Sequence, residues 1–138
     1  MTYLESLCDN YYIETLGMYF GGEILKIDKG FIGGSTLLLI LSLLEKHDRY
    51  GYEIIRELEL RSDKTFEFKE GSLYPVLHKL EKKGFISSYT KICENGRERK
   101  YYQITQEGIK QLAHEKEQWE VFSRSVNKVI GGEAHALS

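Results

Sequence analysis

Cysteine is scarce in this 138-residue chain: Cys8 and Cys93 are the only two, and they are far apart. Two thiols without close spacing do not form a disulfide framework and point to a reducing compartment. Long hydrophobic runs are lacking too, because the most apolar stretch, Leu37 to Leu44, is far too short to span a bilayer. The start is acidic and tyrosine-rich, with Lys26 as its first basic residue, which is not the form of a secretory signal. A cytoplasmic protein with no membrane partner is therefore expected. Enzyme chemistry lacks its parts. His47, His78, His114 and His135 show no ligand spacing with the cysteines, so no metal site is expected. Gly21-Gly22 and Gly33-Gly34 lack the context of a phosphate loop, and no nucleophile–base pair stands out. Neither catalysis nor a cofactor is expected.

Excess charge of one sign is also missing, since the net charge is −2. The distribution is uneven, however. Lys69 to Tyr101 holds eight Lys/Arg against four Asp/Glu, a local +4 on an otherwise acidic chain. Such a face suits phosphates, although a solvated cluster of surface cations would give the same count.

The most informative stretch is Glu70 to Gly84, EGSLYPVLHKLEKKG. Leu73, Val76, Leu77 and Leu80 fall at helical spacing and predict one core-facing side. Ser72 is the expected N-cap, Pro75 then falls in the first turn, and Gly84 supplies the stop. The other side carries Ser72, Pro75, His78, Lys79, Lys82 and Lys83, small, polar and basic groups that suit a DNA groove.

Around this helix the remaining elements fall into order. Ser35 or Thr36 starts a helix through LLLILSLLEKH that is apolar nearly all round, so a second layer or another subunit must cover its far side. Asp48 to Gly51 reads as a break, and YEIIRELELRS as a second helix with Ile54, Ile55 and Leu58 inward. Ser62 to Lys69 is a connector. FISSYTKI and ERKYYQIT read as strands, joined by a turn whose Asn95-Gly96 pair favours a hairpin. Thr105 caps a last helix in which Ile109, Leu112, Lys116, Trp119, Ser123, Val126 and Ile130 recur at gaps of three and four, a seam of coiled-coil type. A seam this long has no partner within so small a chain, which predicts a homodimer. Residues 1–28 read as an N-terminal extension, either a short amphipathic helix or without stable structure. Residues 29–104 form a winged helix-turn-helix domain, 105–132 a dimerisation helix and 133–138 a frayed tail. The expected class is α+β.

KGFIGGSTLLLILSLL, RYGYEIIREL, KEGSLYPVLHKLEKKGFI and RERKYYQITQEGIKQL, in that order, resemble the PadR family of bacterial transcriptional regulators from about Lys29 to Ile130. The single short last helix is similar to the compact subgroup that includes multidrug-responsive repressors. The resemblance implies a homodimeric winged-helix repressor that binds a palindromic double-stranded DNA operator. It places Tyr52, Ser72, Tyr74 and Pro75 near the DNA backbone, with Lys79, Lys82 and Lys83 on the recognition helix. Arg97, Arg99 and Lys100 fall on the wing. It further implies a dimer interface of first and last helices, here Leu37, Leu41, Leu112, Trp119, Phe122, Val126 and Ile130, with Trp119 where a small aromatic effector stacks.

Each assignment has a plainer alternative. Tyr74 is either a phosphate donor or a packed tyrosine, and the lysines either meet phosphates or form a solvated face. His78 reaches a base edge or is simply exposed. Trp119 stacks an effector or only fills an interface, as large aromatic side chains do. The rival for the whole chain is a winged-helix module that no longer binds DNA and offers its basic face to an acidic protein.

Overall fold

A computed structural model describes residues 35–131, so the expected extension 1–28 and tail 133–138 lie outside the described residues. Helix α1 (Thr36–Lys46) leads into a two-residue strand β1 (Arg49–Tyr50) and helix α2 (Gly51–Arg61). Helix α3 (Glu70–Lys82), strands β2 (Ile86–Ile92) and β3 (Glu98–Ile104) and helix α4 (Gln106–Val129) follow. This is the expected α+β winged helix-turn-helix with a long C-terminal helix.

The apolar character of α1 has its reason in its central place. Ile40, Leu41 and Leu44 are fully buried, and α1 packs against α2, β3 and α4. The second layer is thus largely supplied by the chain itself, with Leu37, Leu38 and Leu39 left partly exposed. Leu73, Leu77 and Leu80 of α3 close the same core, joined by Ile86 and Tyr102 from the wing and Leu112 from α4.

Four local readings change. Ser72 does not cap α3, because the helix begins earlier, with Lys69 as N-cap and the Leu73 amide donating to the Lys69 carbonyl at 2.9 Å. Pro75 accordingly sits beyond the first turn, where its missing N–H leaves the Gly71 carbonyl without a helical donor. The supposed break at Asp48–Gly51 contains strand β1, antiparallel to β3 with Arg49 opposite Tyr102, so the sheet has three strands in the order β1-β3-β2. Arg49 is buried there, its Nε donating to the Leu43 carbonyl at 3.2 Å and its Nη1 lying 3.7 Å from Glu57. Ser35 stands at the N-cap of α1 without a side-chain capping bond. Cys93 is buried just past β2, while Cys8 lies outside the described residues.

The expected cap at Thr105 is present. Its Oγ1 accepts from the Gly108 amide at 3.0 Å and donates to the Gly84 carbonyl at 2.6 Å, and its amide donates to the Phe85 carbonyl at 3.0 Å. Gly84, at φ +81, lets the chain leave α3 and reach this junction. Gly108 has no room for a side chain, since a Cβ there would run into the Phe85 carbonyl oxygen and the Ile104 side chain. Gly108→Ala should destabilise the fold by about 1–3 kcal/mol, whereas Gly71→Ala, which meets open space in the first turn of α3, should raise stability by up to about 1 kcal/mol. Chemical denaturation of the two variants measures both signs.

Candidate nucleic-acid interface

Burial of Leu73, Leu77 and Leu80 fixes the roll of α3 about its axis. Ser72, Pro75, His78, Lys79 and Lys82 are then exposed on its outer side, with Lys83 just past its end. Lys79, Lys82 and Lys83 have no ion pair among the described residues. Two of them lie in the last turn of α3, where the helix dipole favours a cation in any case. His78 belongs to no metal-binding group, and the described residues contain none.

Tyr74 lies on the flank of α3 that faces the wing. Its ring rests against Gly51, where a Cβ would come within 2.5 Å of the phenol oxygen, yet the side chain stays 42% exposed. Packing and access are therefore combined, and the two alternatives for Tyr74 do not compete. Burial raises its pKa, with Glu70 and Tyr102 adding to the effect and nearby Lys100 opposing it. The phenol remains a neutral donor at physiological pH.

The pleat of β3 separates cations that are adjacent in sequence. Lys100 shares a face with Tyr102 and points toward α3, its Nζ 3.9 Å from Glu81 and 5.5 Å from the Tyr102 ring centroid. Arg99 lies on the other face with its guanidinium 4.3 Å from the Tyr50 ring centroid, so it is a stacked side chain and not a free wing cation. That face also stacks Tyr89 on Tyr101 at 5.7 Å and places Lys91 over Tyr101 at 5.3 Å. Arg97 is exposed in the turn, where its amide donates to Asn95 Oδ1 at 3.0 Å. Tyr52, in the first turn of α2, accepts from Arg56 Nε and Nη2 at 2.9 and 2.6 Å. The structure brings Tyr74 and Lys100 together beside the outer face of α3 and leaves Arg99 apart from them.

The expected dimer residues divide in a similar way. Leu41 and Leu112 are 0% and 1% exposed within the single chain, so they are core residues and present nothing to a partner. Lys116 leaves the seam for an ion pair with Glu45 of α1 at 3.1 Å. Beyond it, Trp119, Phe122, Val126 and Ile130 all remain exposed along α4, and the rings of Trp119 and Phe122 lie 6.1 Å apart. Glu81 and Ser88, which join α3 to the wing, were not singled out in the sequence, because nothing local marks a carboxylate whose partners are on two later strands.

Tyr50 and Tyr89 are both pushed up to about 12, first by burial, Tyr89 also by donating to Asp48 Oδ2 at 2.7 Å. A phenol whose folded pKa is raised contributes stability that is complete below pH 10 and is lost as pH rises toward 12. Absorbance titration of the tyrosines should show a late-ionising fraction, and Tyr89→Phe should reduce it.

Comparison with known proteins gives a consistent result. The model of the transcriptional regulator PadR-like family matches residues 40–114. An uncharacterised protein of Lysinibacillus sphaericus is 42% identical over 88 residues, 64% of this chain and 81% of that protein. The negative transcriptional regulator PadR of Bacillus subtilis is 34% identical over 73 residues, 53% of this chain and 40% of that protein. Among solved structures, a transcriptional regulator from Clostridium thermocellum superposes with a TM-score of 0.67 at 40% identity, covering 72% of this chain and 96% of that one.

Proposed function

The chain belongs to the PadR-like family of transcriptional regulators, and from that premise we propose a homodimeric repressor that binds a palindromic operator through α3. One observation carries the reading: the exposed side of α3 presents small and polar groups with lysines that no carboxylate of the described residues neutralises. Its helix enters the major groove of each half-site, with Tyr74 donating to a phosphate and Arg97 and Lys100 meeting the flanking backbone. Residues 29–104 serve as the DNA-binding unit. Residues 105–132 serve as the dimerisation unit, since Trp119, Phe122, Val126 and Ile130 form an apolar stripe that a second copy would cover. The family contains a regulator described as negative, which supports repression. Cytoplasmic localisation follows from the DNA target. The half-exposed Trp119 beside Phe122 is the surface on which a flat aromatic effector would stack, tilting the two heads and releasing the DNA.

Fluorescence titration at two salt concentrations tests this, using duplex from upstream of the gene against a scrambled duplex. Tight, salt-sensitive binding to the first with two subunits per site is expected. No binding even at low salt would instead favour a protein-interaction module. Lys79→Ala and Lys82→Ala should each lower the salt slope by about one, and an unchanged slope removes that residue from the interface. Trp119→Ala should weaken binding of flat aromatic compounds while circular dichroism and the dimer are preserved. Loss of the dimer would assign Trp119 to the interface alone.

A further inference from the structure

Glu81 holds an unusual place on the basic side of this molecule. It is the only acidic residue between Gly71 and Ile92, and it lies two turns after Tyr74 on the flank of α3 that faces the wing. Its two oxygens go to two different strands. Oε2 accepts from Ser88 Oγ of β2 at 2.5 Å, and Oε1 lies 3.9 Å from Lys100 Nζ of β3. The two contacts differ in kind. The Ser88 bond is short and fixes the carboxylate. The Lys100 pair is long, and the lysine side chain is 56% exposed, so solvent screens it and it adds little to stability. Its consequence is where the cation is held. Lys100 Nζ lies on the α3 side of β3, 3.9 Å from the carboxylate and 5.5 Å from the Tyr102 ring centroid.

We propose that Glu81 is a specificity-determining positioning residue: an internal carboxylate that occupies Lys100 in the free protein and yields it only to a backbone phosphate arriving at the same place. A phosphate brought there by α3 seated in its groove displaces the carboxylate. A phosphate of non-specifically bound DNA, where α3 is not seated, must compete with it. Counterion release rewards every neutralised phosphate alike, so a permanently free Lys100 would strengthen all DNA complexes and lower discrimination. This inference rests on the reading of α3 and the wing as a DNA-binding face.

Glu81→Gln keeps an oxygen for Ser88 and removes the charge. On a scrambled duplex it should steepen the dependence of log K on log salt by about one, and so narrow the ratio between selective and non-selective binding. General removal of an acidic charge near DNA would also strengthen binding, so the substitution is repeated with Lys100→Met. The Glu81→Gln effect should vanish in that background. A salt slope unchanged by Glu81→Gln overturns the proposal, as does an effect that persists without Lys100, because the charge would then act through the general field. Lys79→Ala is the reference in the same titration. If its slope also fails to move, the DNA-binding face itself is wrong; if its slope falls while Glu81→Gln is silent, only the role of Glu81 is lost.

Discussion

Gly108 lies so close to the carbonyl of Phe85 that no side chain fits between them, and Thr105 binds the same turn through Gly84 and Phe85. Three elements meet at this point: the end of α3, the first residues of the wing and the first turn of α4. Because β2 starts only at Ile86, the contact sets where the wing departs from α3. Because α4 starts at Gln106, it also sets the direction in which the last helix leaves the domain. The hydrophobic core fixes how α1, α2 and α3 stack and holds α4 through Leu112, and this backbone-to-backbone approach adds the direct link between the end of α3 and α4. A glycine is required for it, and flanking side chains could not substitute.

Charge is distributed by the same geometry. Sequence presents the cations from Lys69 to Lys100 as one basic cluster, yet the structure sorts six of the eight into three situations. Lys79, Lys82 and Lys83 are exposed on α3. Arg99 and Lys91 are stacked on Tyr50 and Tyr101 on the far face of the ribbon, where they hold aromatic side chains together. Lys100 is tethered to a carboxylate of another element, Glu81. A net +4 therefore does not say which cations face a partner, and for Arg99 and Lys100 the two-residue period of β3 decides it.

The order of elements was legible because it depends on periodicity and on turn residues, which are local. Leu73, Leu77 and Leu80 announce the inner side of α3, Asn95-Gly96 the wing turn, and Thr105 the cap of α4. What could not be read depends on pairs distant in sequence. Strand β1 is two residues long and exists only through pairing with Tyr101 and Tyr102. Leu112 and Trp119 share one seam in the sequence, but the core ends between them, so one is buried and the other exposed. The error at Ser72 has a different cause. A serine before an apolar run is a good cap, but Glu70 and Gly71 also accept helical geometry, and the helix extends to Lys69. The site was legible as a list of residues and not as an arrangement, since Glu81 carries no signal until its partners are seen.

Helix α4 is clamped at its base and projects well beyond its last fully buried residue, Leu112. With 24 residues it is a rod about 36 Å long. Such a rod has mechanical advantage: a pivot of about 5° at Thr105 carries its far end about 3 Å, as much as one base-pair step along B-DNA. Any such rotation at the base meets the Gly108–Phe85 contact, where no space is left between the backbone of α4 and the start of the wing.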